Sequence, residues 1–108
     1  MSNKLIEKDF QSDVMDVARK MGWKVMHIGD SRKFTRTRIV GDANTKGWPD
    51  LVLARGTCLL FRELKSERTR VSKEQEAWLA ALKLAGQDVD IWRPQDWDRI
   101  IKELGGLL

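Results

Sequence analysis

The chain has 108 residues, 33% of them charged and 42% hydrophobic, with a formal net charge of +4. That is the composition of one globular domain with a leaning toward polyanions, neither a disordered nor a membrane-embedded chain. One cysteine, one histidine and no tyrosine exclude a disulfide framework, a multi-cysteine or two-histidine zinc site, a facial triad and any tyrosine-nucleophile mechanism.

The N-terminal MSNKLIEKDF carries charges where a signal peptide needs an apolar run, and no stretch approaches the roughly 18 apolar residues of a membrane span. A cytoplasmic protein without membrane partners is the expectation. Residues 4–21 read as an amphipathic helix whose stripe is Ile6, Phe10, Val14, Val17 and Met21, stopped at Gly22. A short strand at 24–28 follows, then a basic stretch over 29–47 with a candidate strand near Thr37–Val40. GDANTKGWP at 41–49 contains Lys46 but lacks the order of a phosphate-binding P-loop.

Two apolar runs, 50–54 and 58–65, are separated by Arg55-Gly56-Thr57 and predict an antiparallel hairpin. A helix over about 73–85 should turn Trp78, Leu79, Leu82 and Ala85 inward. DVDIW at 88–92 is a further strand, and Pro94 opens a last helix through Leu104. The expected fold class is α/β: a small mixed sheet flanked by helices, with strands 58–65 and 88–92 paired in parallel across a helical crossover.

The informative residues are Pro49-Asp50 and Glu63-Leu64-Lys65. Strand alternation puts Glu63 and Lys65 on one side and Leu64 on the other. With the two runs adjacent, Asp50 at the start of one approaches Glu63 toward the end of the other. Two carboxylates converging beside an amine make a hard, oxygen-rich site suited to Mg²⁺, with a lysine able to orient a water and offset charge on a phosphate. The bland reading is a solvated strand face holding an ordinary ion pair.

Pro-Asp, thirteen residues from Asp50 to Glu63, then Glu-x-Lys resembles the PD-(D/E)XK nuclease superfamily. The wider context, KGWPDLVL at 46–53, FRELK at 61–65 and SKEQ at 72–75, is similar to the VRR-Nuc (virus-type replication-repair nuclease) family, in its short stand-alone phage and bacterial form. The resemblance spans roughly residues 5–97 and implies a restriction-endonuclease-like core. It further implies metal-dependent hydrolysis of DNA, in stand-alone members by a homodimer acting on branched DNA such as four-way (Holliday) junctions. It makes Asp50, Glu63 and the Leu64 carbonyl ligands of Mg²⁺ or Mn²⁺, Glu7 an outer ligand, Lys65 the residue that orients water, and Gln75 its support. Trp48 departs from the commonest pattern, in which a smaller residue precedes Pro-Asp.

Two readings of Gln75 stand side by side, because Ser72-Lys73-Glu74-Gln75 is also a helix capping box. Positive charge collects at 30–46 (Arg32, Lys33, Arg36, Arg38 and Lys46 against two acids) and at 62–73 (Arg62, Lys65, Arg68, Arg70 and Lys73 against two acids). Both flank the expected site, where a polyanion would lie, and Trp48 is the aromatic best placed to touch DNA. His27 and Cys58 read as strand residues, and the remaining tryptophans as core or interface. Because one small chain carries one site, cutting two strands calls for two chains, with the C-terminal helix and Leu107-Leu108 as the expected interface. The competing readings are a non-catalytic nucleic-acid-binding module using the same basic surface, and a nuclease-fold subunit whose partner cuts.

Overall fold

A computed structural model describes residues 3–28 and 46–105, with residues 3–8 described as helical backbone. The expected strand near Thr37–Val40, Arg32, Lys33, Arg36, Arg38, the Glu7 side chain and Leu107-Leu108 lie outside what is described. Helix α1 (Asn3–Lys20) leads to β1 (Lys24–His27), then β2 (Leu51–Arg55), β3 (Cys58–Leu64), α2 (Lys73–Leu84), β4 (Asp88–Trp92), a 3-10 turn (Pro94–Asp96) and α3 (Trp97–Gly105). The strands form one sheet in the order β1-β2-β3-β4. β1, β2 and β3 pair antiparallel, and β3 pairs with β4 in parallel. This is the small mixed α/β sheet that the sequence pattern predicts.

The hairpin between β2 and β3 is closed by two residues, since Arg55 pairs with Cys58. Gly56 supplies the positive φ (+59°) at the first turn position and Thr57 stays at negative φ, the geometry of a type II′ turn that suits the twist of paired strands. The tight turn fixes the register, so Leu51 lies opposite Arg62 and Asp50, one step beyond, comes level with Glu63.

One face of the sheet carries the core. Phe10, Val14 and Ala18 of α1 and Ile100 and Leu104 of α3 pack on Leu51, Leu53, Leu60 and Trp92, positions that share a face by strand alternation. Of the predicted α1 stripe, Val17 and Met21 are only partly buried, and Ala18 takes a central place. Trp23, at the turn after α1, donates its indole N–H to the Leu104 carbonyl at 2.8 Å and so ties α1 to the end of α3.

On the opposite face, Trp48 stacks edge-on against Phe61 and Trp78, with centroids 5.8 and 4.8 Å apart, linking the segment before β2 to α2. This face is less covered than the sequence suggests. No residue of α2 is fully buried; Trp78, Leu79 and Leu82 are half-buried, whereas Ala85, expected inward, is exposed, as are Leu59 and Met26.

Arg62 needs a second correction. Counted from sequence among surface cations, it is buried on the core face. Its guanidinium meets Asp88 at 2.8 Å and Glu103 at 3.0 Å and lies over the Trp92 ring. Glu103 also accepts the Trp92 indole N–H, so the pairing compensates a charge that β3 brings inside.

Gly47 seats the segment preceding β2. Its φ is +90°, and a Cβ there would sit 2.6 Å from the Glu74 carbonyl oxygen and 2.7 Å from the Gln75 nitrogen. Gly47→Ala therefore combines left-handed strain with a collision against helix backbone. The expected loss is about 2–4 kcal/mol of stability in urea unfolding; a loss under about 0.5 kcal/mol would show that this contact is not made.

Candidate active site

The site forms where the C-terminal end of β3 meets the start of β2. Asp50, in the bend before β2, is held by the Leu64 backbone N–H, which donates to its Oδ2 at 2.8 Å. Main-chain bonds fix both strand ends, Ile28 N–H to the Asp50 carbonyl and Lys65 N–H to the Trp92 carbonyl. Glu63 and Lys65, two apart on one side, bring Lys65 Nζ to 3.6 Å from Glu63 Oε2. Gln75, in the first turn of α2, donates from Nε2 to that same oxygen at 2.8 Å. Asp50, Glu63, Leu64, Lys65 and Gln75 line one cleft of about 280 Å³, together with Phe10, Gln11 and Thr69.

Gln75 completes the helix cap and reaches Glu63 at the same time. Its backbone N–H donates to Ser72 Oγ and its Oε1 accepts the Ser72 N–H, so the capping box is complete while Nε2 serves Glu63. Phe10 and Gln11 of α1 line the cleft wall, which brings their face of the helix toward the carboxylates.

Electrostatically the site is under strain. Glu63 is almost fully buried, and no protein N–H or O–H reaches its Oε1, so a hydrogen bond between Glu63 and Asp50 requires a proton on one of the two carboxyls. Burial, reinforced by the negative charge of Asp50 and opposed by Lys65, pushes its carboxyl from the usual 4.5 up to about 8. Burial also raises Asp50, against the pull of the Leu64 N–H and Lys65. Two carboxylates with one lysine lack positive charge, and Asp50, Glu63 and the main-chain carbonyl at 64 are hard oxygen donors of the kind that hold Mg²⁺. An orphaned buried carboxylate oxygen fits such an ion. Among the described residues there is no cluster of three or more His, Cys, Asp or Glu; Mg²⁺ sites completed by water need only one or two carboxylates.

The expected nucleic-acid contacts divide. Arg68, Arg70 and Lys73 are exposed, the first two flanking in sequence Thr69, which lines the cleft. Lys46 is exposed and 3.8 Å from Glu74. Trp48 is half-buried in its aromatic cluster, with its ring edge-on to Phe61 and Trp78. Sequence reasoning missed Arg93, whose Nη1 donates to the carbonyls of Ser66 and Thr69 at 2.7 and 2.8 Å. It braces the turn that follows Lys65 and carries Arg68; a lone arginine after a strand gives no sequence signal of this. A larger cleft of about 440 Å³ beside β4 and α3 has its acids engaged by Arg62 and Arg99.

The raised carboxyls carry a consequence for stability. The native state holds a proton that the unfolded chain releases near pH 4.5, so stability is full below that pH and declines as pH rises toward about 8. Without divalent ions, urea unfolding should show this decline, at up to about 1.4 kcal/mol per pH unit for one proton, and Glu63→Gln should flatten it. Stability that rises with pH over this window in the wild type alone would contradict the assignment.

Comparison with known proteins bears on the family and the fold. The VRR-NUC domain family matches residues 7–95. A solved structure described as a VRR_NUC domain protein superposes with a TM-score of 0.66 at 22% identity, over 93% of this chain and 85% of that one. No curated protein matches the chain. With the family covering most of the sequence and the α/β nuclease fold around the carboxylates, the chain belongs to the VRR-NUC domain family, a family of nucleases.

Proposed function

We propose that the protein is a metal-dependent endodeoxyribonuclease that hydrolyses phosphodiester bonds in branched DNA such as four-way junctions, acting as a homodimer. The observation that carries this reading is the meeting of Asp50, Glu63 and Lys65 in one cleft, with a buried Glu63 oxygen left unpartnered. In this reading Asp50, Glu63 and the Leu64 carbonyl hold Mg²⁺ or Mn²⁺, and Glu7 serves as an outer ligand. The ion, when bound, supplies Lewis acidity toward the phosphate and charge stabilisation for the entering and leaving oxygens.

The side chains do the rest. Lys65 Nζ, tethered by Glu63, holds the attacking water in line with the scissile bond and offsets charge growing on the phosphate. Gln75 keeps Glu63 Oε2 engaged. Arg68, Arg70 and Lys73, with Lys46, Arg32, Lys33, Arg36 and Arg38, contact backbone phosphates, which position a duplex without reading its sequence. Trp48 contributes by fixing the segment that carries Asp50. The preference for junctions rests on the family resemblance, and the homodimer on the need for two sites to cut two strands.

Cleavage of a labelled four-way junction and a matched linear duplex, with Mg²⁺ or with EDTA, tests this reading. The wild type should cut the junction faster, and only with Mg²⁺. Lys65→Ala should lose about 10²–10⁴-fold in rate while still binding the junction. Equal cutting by both proteins would remove Lys65 from the chemistry, and binding without any Mg²⁺-dependent cutting would favour a non-catalytic module. Asp50→Ala should abolish the Mg²⁺ binding heat in calorimetry; unchanged binding would mean that the ligands lie elsewhere.

A further inference from the structure

The Gln75 side-chain amide has a donor end and an acceptor end of nearly the same shape, so its usefulness to Glu63 depends on which way it is turned. Nothing about Glu63 and Lys65 alone decides this. A carboxylate favours the NH₂ end, whereas a lysine 3.6 Å from that carboxylate attracts the carbonyl end. What breaks the tie is main chain. The Ser72 N–H donates to Gln75 Oε1 at 2.9 Å, and turning the amide over would set two donors against each other there and, with Glu63 ionised as a cation ligand is, two acceptors against each other at Glu63. The helix start that presents this N–H is itself seated, because Gly47 lies directly against the Glu74–Gln75 backbone and the Ser72 hydroxyl caps the first turn.

We propose that Ser72 is a positioning residue of the nuclease site: its backbone N–H, by occupying Gln75 Oε1, locks the amide with Nε2 on Glu63 Oε2 and so leaves Glu63 Oε1 as the oxygen offered to a cation. The capping box, ordinarily a device of helix stability, is here wired to the site through one side chain. The proposal rests on the reading of Asp50 and Glu63 as ion ligands. It extends that reading to a residue that touches neither ion nor substrate.

The backbone at Ser72 has φ of −74°, inside the range of proline, so Ser72→Pro removes the N–H at a compatible angle. Ser72→Ala is its control, since both variants lose the hydroxyl and only one loses the donor. In protein without divalent ions, the Gln75 side-chain NH₂ resonances should exchange slowly with solvent in the wild type and in Ser72→Ala. They should exchange about three- to tenfold faster in Ser72→Pro, the span expected for one net hydrogen bond. Calorimetric titration with MgCl₂ alone should then show Ser72→Pro binding about three- to tenfold more weakly than Ser72→Ala. Identical NH₂ exchange in the two variants, or released exchange with identical Mg²⁺ affinity, overturns the proposal.

Should Ser72→Pro fail to fold, the Ser72 amide hydrogen itself decides. It should be protected in the wild type and exposed in Gln75→Ala, and equal exchange overturns the lock. Absence of Mg²⁺ binding in the wild type as well would overturn the ion-site reading instead, a result distinct from any change in NH₂ exchange.

Discussion

A buried carboxylate, Glu63, and a half-buried one, Asp50, set level with each other at a strand end are the constraint around which the molecule is arranged. Bringing Asp50 and Glu63 together out of water costs free energy that a single lysine does not recover, and the unpartnered Glu63 oxygen records the shortfall. Such a pair survives only where the scaffold leaves it no alternative place. Each carboxyl is accordingly gripped by a neutral donor, Asp50 by the Leu64 N–H and Glu63 by the Gln75 amide, which orient the groups and leave a proton or a cation to offset their charge.

The scaffold supplies that grip through connections of little freedom. The two-residue turn at Gly56-Thr57 sets the β2–β3 register and with it the level of Asp50 against Glu63. Gly47 and Trp48 fasten the approach to Asp50 onto α2, and the α2 cap directs Gln75 back across the cleft. Arg93 braces the turn just past Lys65. The site thus joins three separate stretches of chain, none of which would hold its geometry alone. The core face, with α1 and α3 packed on it, provides the stability against which this strain is set.

Much of this was legible in the sequence, for reasons that are local. The two apolar runs flanking Arg55-Gly56-Thr57 predict the hairpin, and the hairpin forces Asp50 toward Glu63. The Ser72–Gln75 spacing predicts a capping box, and the box is present. What could not be read depends on burial decided by distant partners. Arg62 looks like one more surface cation among Lys65, Arg68 and Arg70, until β4 and α3 present Asp88 and Glu103 to it. Ala85 fits the helical stripe of α2, but the helix ends at Leu84 and leaves Ala85 as its C-cap. Arg93 and Gly47 act through main-chain contacts across the fold, and such contacts leave no periodicity.

The central claim is that Asp50 and Glu63 together accept a divalent cation, and locating that cation tests it most directly. Crystals soaked in Mn²⁺ should give an anomalous scattering peak between the two carboxylates, within coordination distance of an oxygen from each. A peak elsewhere, with the pair left bare at saturating Mn²⁺, would contradict the account.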